Sequence, residues 1–455
     1  MPRSSDFFSS DEVMVLFTTS PAGLGHIRVT EALREGLPET VRPEVMGIDD
    51  KSIKFIHRVG SRNRTLKMMM ELAQNNPLVE NYYVAWFRKK LRRETQEVYE
   101  RVADLVARRR PKPKILVIIA THHSLAHKMA AIKGRLARSL GVDVVLAVVV
   151  TDDTYQKIWG VYGADYIFLP SDWTRECLEQ YLRQLGWELP KLVVSAYPVS
   201  PKLARYLDAQ EFKTRQEQVK AGGKEKLAII MPISGAAVQL AYFEKLIVEL
   251  SIKPAVRVTM VSRESSYTKE FLDWCQNVPA VEVVADREDR EVVLSYEKEL
   301  TTKVFAVEIT KPSEQTFKTL LSPKQRGGVV LLFSEPVGRQ EYDNLAFLLR
   351  HGLIPNEAHE LRLNRFFIEN DKPQFEEEFL KMAQEWRGLK LPNDGEMAGR
   401  AIDRLKESGI LARMVDYSGD RRNKELDSQG VDKFWQTLAQ LVSKQYPVYK
   451  GSLSR

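Results

Sequence analysis

ILVIIATHHSLAHKMAAIKGRLARSLGVDVVLAVVVTDD, residues Ile115–Asp153, decides how the rest of the chain is read. Its two flanking runs, ILVIIA and VVLAVVV, are apolar on successive residues rather than on alternate ones. A strand with one wet face alternates, whereas a strand covered on both faces does not. These runs therefore predict neighbouring strands of a parallel sheet with helices on either side. The intervening Ser124–Leu140 has a helical pattern and serves as the crossover.

Outward from this unit the alternation continues. Strands are predicted at Val13–Thr18, Glu44–Ile48, Ile115–Ala120, Val144–Val150, Tyr166–Leu169 and Leu192–Ser195. A polar stretch with paired glycines, FKTRQEQVKAGGKEK (Phe212–Lys226), carries no core signal and reads as a linker. The pattern then restarts at Leu227–Pro232, Val256–Ser262, Val281–Ala285, Val304–Ile309 and Val329–Phe333, and Arg365–Arg400 and Gly430–Tyr446 read as helical. Two βαβ series imply an α/β protein of two doubly wound, Rossmann-like domains facing across a cleft. The expected divisions are residues 1–211, a linker at 212–226, and residues 227–455 including the C-terminal helices.

The chain has 455 residues, 28% charged and 44% hydrophobic, which excludes disordered and collagen-like classes. Two cysteines, Cys177 and Cys275, cannot build a disulfide framework or match a zinc motif. No signal-peptide core and no run of about 18 apolar residues is present, so a cytoplasmic location is expected. The formal charge of +7 is unevenly spread: residues 51–140 hold 21 Lys+Arg against 6 Asp+Glu. Such a block points to an anionic partner or to solvated helix faces.

In doubly wound sheets, ligands bind beyond the carboxyl ends of the strands. The first strand runs into TTSPAGLGHIRV (Thr18–Val29), where Gly23 and Gly25 permit a tight turn and a helix N-terminus suited to phosphate. His26 at its mouth is a candidate general base; the alternative is a simple helix cap. Thr151, Asp152 and Asp153 follow the fourth strand, with Asp153 read as capping a short helix. Of His122, His123 and His127, the last two have i, i+4 spacing, but no acidic or cysteine ligand is nearby in sequence, so no metal is expected. In the second half, Ser234, Gly235 and Ala236 form a small-residue turn, a second candidate phosphate cradle. Lys311, Pro312 and Thr316 lie in a segment that follows a strand and opens a helix. Gln340, Glu341 and Asn344 begin another helix, where their acceptors suit sugar hydroxyls.

Together these loops resemble the GT-B glycosyltransferases that act on lipid acceptors: monogalactosyldiacylglycerol synthases, diacylglycerol glucosyltransferases and the peptidoglycan N-acetylglucosaminyltransferase that uses lipid I. The similarity is collinear from about Val13 to Gly352. AGLGH (Ala22–His26) meets the glycine-rich, His-ending first loop, and Thr121-His122 meets the Thr-His after the third strand. VVTDDTYQKIW and ADYIFLPS supply Asp152, Trp159, Asp165 and Ser171. AYPVSPK closes the first domain, and Thr310–Thr316 and PVGRQEYDN (Pro336–Asn344) complete the order. The departures fall mainly on the donor side. Ser313 and Gln315 replace glycines, and Thr319 stands where the family places a ribose-binding Glu.

What the resemblance implies is transfer of a sugar from a nucleotide donor, UDP-linked, to a lipid or lipid-like hydroxyl. His26 would be the base and Asp152 its orienting partner. Gly25, Ser234, Gly235, Ala236, Lys311, Pro312, Thr316, Gln340, Glu341 and Asn344 would hold the donor, with no cofactor and no metal. In that family the region between the second and third strands engages the membrane and acceptor. Here it carries Tyr82, Tyr83, Trp86 and Phe87 beside Arg88, Lys89, Lys90, Arg92 and Arg93. Aromatics beside cations suit an anionic bilayer surface, at about 1 kcal/mol per basic residue; the same residues also suit plain helix packing. The expected partners are a nucleotide sugar, a lipid acceptor and the inner face of the cell membrane, with no nucleic acid because no RNA- or DNA-binding signature accompanies the basic block. Two alternatives stand beside this: a non-catalytic GT-B-derived protein that binds lipid or nucleotide sugar, and a GT-B-like sugar-nucleotide epimerase.

Overall fold

The computed structural model describes residues 7–20, 23–47, 77–233, 239–333, 336, 338–368, 375–419 and 423–446. They form two compact units, residues 1–201 with 424–455, and residues 202–423.

Unit 1 is built on β1 (Val13–Thr18), β2 (Glu44–Met46), β3 (Ile115–Ala120), β4 (Asp143–Val149), β5 (Tyr166–Leu169) and β6 (Lys191–Val194). All pairings are parallel, in the order β2-β1-β3-β4-β5-β6. Every residue of β1 and β3 is buried, while the edge strand β6 is half-exposed. The continuous apolar runs thus sit where the sheet has two covered faces. Helices α1 (Leu24–Glu35), α2 (Pro77–Arg93), α3 (Gln96–Arg108), α4 (His123–Leu140) and α5 (Asp172–Gln184) complete the layers. Strand order reverses between β1 and β3, so the loops after these strands flank the switch point where ligands bind in such folds.

Unit 2 contains α6 (Ala209–Val219), β7 (Leu227–Pro232), α7 (Leu240–Ser251), β8 (Val256–Arg263), α8 (Lys269–Gln276), β9 (Val281–Asp286) and α9 (Asp289–Thr302). It continues with β10 (Val307–Thr310), β11 (Val329–Leu332), α10 (Arg339–Arg350), α11 (Glu357–Ile368), α12 (Glu377–Ala383), β12 (Gly388–Lys390), α13 (Gly395–Glu407) and α14 (Ile410–Val415). The sheet order is β12-β11-β10-β7-β8-β9, again parallel, with its switch point between β7 and β10.

Three features differ from the sequence-based expectation. The segment read as a linker begins within α6, which opens with an Asp208–Glu211 capping box. Its Arg215 is buried and donates to the carbonyls of Phe305, Pro323, Gln325, Arg326 and Gly327, and burial lowers its pKa to about 9. A polar sequence hid a helix whose anchor is one arginine satisfied by backbone. Secondly, β12 lies inside the stretch read as helical. Gly388 allows it there, since a Cβ would stand 2.7 Å from Val330 O. Thirdly, the C-terminal helix α15 (Gly430–Gln445) belongs with unit 1. Its Trp435 donates from Nε1 to Leu33 O at 2.9 Å, and Phe434 packs on Phe168. Glu425 just ahead of it accepts from Asp172 N at the start of α5. Among the described residues no helix is long and apolar enough to cross a membrane.

Candidate functional site

In unit 1 the switch point gathers polar side chains around His26. Gly23 makes the turn into α1 at φ 146°, a backbone state that strains any residue with a Cβ. Gly25 falls within the first turn of the helix, so Gly23 carries the turn and Gly25 does not. His26 is half-buried, with Nδ1 2.8 Å from Thr121 O and 3.2 Å from Thr151 Oγ1. A carbonyl oxygen only accepts. Nδ1 therefore carries the proton, and in the neutral ring the basic lone pair is on Nε2. The tautomer needed for a general base is set by the end of β3.

A hydroxyl chain fixes this geometry. Thr30 Oγ1 donates to His26 O at 2.8 Å and stands 2.8 Å from Thr121 Oγ1, so the Thr121 hydroxyl is the donor of that pair. Both threonines are fully buried. The bonds join the first turn of α1 to the residue whose carbonyl holds the ring. Tyr197, from the AYPVSPK segment, donates from its hydroxyl to Thr151 O at 3.1 Å and so steadies the third member. Thr18, Thr19 and Ser20, at the end of β1, bury hydroxyls that find no hydrogen-bond partner among the described residues. Each such group costs about 1–3 kcal/mol, a polar cost concentrated at the end of β1.

Asp152 is half-buried one residue beyond Thr151. Asp153 departs from the expectation that it caps a short helix. It is fully buried and accepts from Ser171 Oγ and, at 2.6 Å, from Thr174 Oγ1, where Ser171 is the N-cap of α5. It steadies another element's cap. Asp165 is likewise structural, accepting from Leu146 N at 2.7 Å and pairing with Lys133. Of the three histidines, His122 packs edge-on to His26 with centroids 4.9 Å apart, and His123 stacks on His122 at 4.6 Å. His127 is buried and its Nε2 donates to Ile158 O at 2.9 Å. Burial, followed by the charge of Arg88, lowers its pKa to about 3. Trp159 closes the group, 6.3 Å from His26 and 5.6 Å from His123.

Helix α2 has two chemically distinct sides. Tyr82, Tyr83 and Trp86 are 79%, 40% and 52% exposed, and Lys89 and Arg93 are exposed with them. Tyr83 and Phe87 stack at 5.8 Å, and Lys90 lies 5.8 Å from the Trp86 ring. Arg88 does not face outward as expected. It is buried in a stripe with Glu80, Val84 and Leu91, and donates to Tyr181 OH at 2.8 Å and to Lys157 O. The Trp187 ring faces its guanidinium at 5.0 Å. Arg92 is half-buried and donates to Tyr162 O at 3.0 Å. Burial lowers the pKa of both arginines. The spacing 80, 84, 88, 91 marks one helical face, a signal masked by the surrounding cations.

In unit 2, Ser234, Gly235 and Ala236 lie outside the described residues. Lys311 Nζ pairs with Glu341 Oε1 at 2.5 Å, and Asn344 Nδ2 donates to Pro312 O at 3.4 Å. These contacts tie the segment after β10 to the first turns of α10, where Gly338 makes the entry turn at φ 89° and Gln340 is half-buried. The helix that this segment opens is a 3-10 helix, Glu314–Leu320. Thr316 is buried and its hydroxyl donates to Ser313 O at 2.8 Å. Thr319 is fully buried and donates to Thr316 O at 2.7 Å. Lys318 is buried against Glu308 and Tyr296, with Tyr296 OH donating to Glu308 at 2.7 Å. The Gln315 amide oxygen is buried and finds no partner among the described residues. Glu314, half-buried, is the acid of this segment that is not turned into the core.

No protein-family model matches the sequence, and no curated protein is significantly similar to it. Solved structures do match along the whole chain. A Listeria monocytogenes protein, provisionally described as a UDP-N-acetylglucosamine 2-epimerase, aligns over 96% of both chains at 12% identity with a TM-score of 0.50. The UDP-GlcNAc 2-epimerase of Neisseria meningitidis aligns over 95% of this chain and 99% of its own, at 12% identity and a TM-score of 0.47. The glycosyltransferase of kitacinnamycin covers 94% and 98%, at 11% identity and a TM-score of 0.46. At such identities the likeness is one of fold: the chain is an α/β protein of two Rossmann-like units, in the GT-B fold class.

Proposed function

We propose that the chain is a glycosyltransferase that moves a sugar from a nucleotide donor, UDP-linked, to a lipid hydroxyl at an anionic membrane surface. The observation that carries this reading is the His26 ring, held through Nδ1–H on Thr121 O so that Nε2 is basic. In the proposed step the acceptor hydroxyl oxygen attacks the anomeric carbon and gives its proton to Nε2. The bond from that carbon to the diphosphate oxygen breaks, and the nucleoside diphosphate leaves. As the ring becomes cationic, its bond to Thr121 O becomes charge-assisted and stronger. Asp152 is assigned an assisting role at the same strand end. On the donor side, Lys311, Pro312, Gln340, Glu341, Asn344 and residues 234–236 would bind the nucleotide sugar. The exposed aromatics and cations of α2 support contact with an anionic bilayer, which would put the protein on the cytoplasmic face of the membrane.

A second reading, a protein that binds but does not transfer, is favoured by Thr319. Its hydroxyl is bonded inside the 3-10 turn, at the position where the resembled family has a ribose-binding carboxylate. One assay separates the readings. Wild-type protein and His26→Ala are given UDP-hexoses and diacylglycerol in phosphatidylglycerol vesicles, and products are identified. Transfer that falls at least about a hundredfold in His26→Ala supports a general base. Unchanged turnover removes that role, no glycolipid from wild type favours the binding protein, and a 2-epimerised nucleotide sugar formed without acceptor favours an epimerase. Flotation with and without anionic lipid tests the membrane element.

A further inference from the structure

The side of α2 opposite its exposed aromatics grips the short 3-10 turn Lys157–Trp159. Three buried polar groups converge on that turn. Glu80 Oε2 is 3.1 Å from Lys157 Nζ, Arg88 donates to Lys157 O, and His127 Nε2 donates to Ile158 O. The next residue is Trp159, 3% exposed, whose ring stands against both His26 and His123. Gly160 lets the helix approach this closely, since a Cβ there would lie 3.0 Å from Arg88 Nη2 and 2.8 Å from Leu182 Cδ2.

We propose that Arg88 and Glu80 are positioning residues for the His26 centre, acting through the Lys157–Trp159 turn. They fix the backbone that carries Trp159, and Trp159 with His122 packs the ring whose Nδ1 is held by Thr121. Arginine suits this position because its fork can meet a carbonyl and a phenol at once while its flat face lies on Trp187. Glu80 fastens the side chain of the same lysine whose carbonyl Arg88 holds, so the turn is clamped at both its backbone and its side chain. Helix α2 thus joins a surface-facing aromatic side to the packing around the proposed base. This inference rests on the assignment of His26, but its first readout does not.

The test uses full-length protein labelled with 13C at the histidine Cε1, with His26 and His123 signals assigned from His26→Gln and His123→Gln. Trp159→Leu defines the shift change when the indole is removed. Arg88→Met should move both signals in the same direction as Trp159→Leu, Arg88→Lys should move them less, and the isosteric Glu80→Gln should move them by an intermediate amount. Glu80→Gln and Arg88→Lys keep the test decisive if Arg88→Met fails to fold. In vesicle turnover with UDP-galactose and diacylglycerol, Arg88→Met and Glu80→Gln should lower kcat about tenfold or more, as small misplacements near a reacting centre do. KM should change less than about twofold, the range of a packing change that leaves acceptor contacts in place. Trp86→Ala, on the outer side, should raise KM instead. Histidine signals unmoved in both Arg88→Met and Glu80→Gln, or a loss carried by KM as in Trp86→Ala, overturns the proposal. Because the signals are read without substrate, a failure of the transferase reading leaves the positioning claim separately decided.

Discussion

Both units place their chemistry-bearing segments at a switch point of a parallel sheet, yet they treat polar side chains in opposite ways. In unit 1, the ends of β1, β3 and β4 direct Thr121, Thr151 and His26 toward one another, and Thr18, Thr19 and Ser20 bury hydroxyls that find no partner among the described residues. In unit 2, the segment after β10 turns its polar groups inward: Thr316 and Thr319 bond to their own turn, and Lys318 joins a buried cluster with Glu308 and Tyr296. The first arrangement accepts polar cost at the end of β1; the second removes it. Unit 1 gathers polar groups around the His26 imidazole, whereas this part of unit 2 satisfies its polar groups internally, with Lys311, Glu314, Arg339 and Gln340 left half-buried. The same sheet position can hold either arrangement.

Breaking the unit 2 cluster should have the largest effect on stability. Lys318→Met leaves the buried Glu308 carboxylate without its cation, with the Tyr296 hydroxyl still donating to it, and should cost about 3–5 kcal/mol, the usual penalty for removing one partner of a buried pair. Denaturant unfolding measures this, and a loss confined to the transition of unit 2 is expected. A loss below about 1 kcal/mol would dissolve the contrast between the units.

Unit 1 should show a matching sensitivity to acid. His127 is held neutral by burial, with its pKa lowered from 6.5 to about 3. Its folded pKa is depressed, so the unfolded chain binds the proton first. Stability is therefore complete above about pH 6.5 and falls toward pH 3, by about 1.4 kcal/mol per pH unit from this group. His127→Leu should flatten that slope between pH 4.5 and 6.5 in thermal melts.

Smaller effects address the hydroxyls. Thr121→Val breaks the chain to Thr30 and should cost about 1–2 kcal/mol, because it leaves a buried hydroxyl with one partner fewer. Ser20→Ala should do the reverse and stabilise unit 1 by about 1 kcal/mol, since it removes a buried hydroxyl that has no partner among the described residues. If that gain comes with lower turnover, the polar cost at β1 belongs to function. Gln315→Met should stabilise unit 2 by a similar amount with no effect on turnover, which makes it the control.

The fold was legible because burial on both faces writes itself into sequence as uninterrupted apolar runs. Ile115–Ala120 and Leu227–Pro232 were bounded correctly to the residue. β12 and α6 were not legible, because the first is three residues long and the second takes its anchoring from backbone carbonyls collected by Arg215. In the candidate site, His26 stood out by its place after β1. The Thr30–Thr121 chain did not, since lone threonines at strand ends and in helices carry no spacing signal. Arg88 was misread because charge in a basic run looks like surface. Its place four residues after Val84 and eight after Glu80 was the clue to an inward stripe.

The nucleotide-sugar site proposed for unit 2 is tested most directly by titrating the full-length protein with UDP in a calorimeter. Saturable binding at sub-millimolar UDP is predicted, weakened in Lys311→Ala. No heat of binding at millimolar UDP would contradict it.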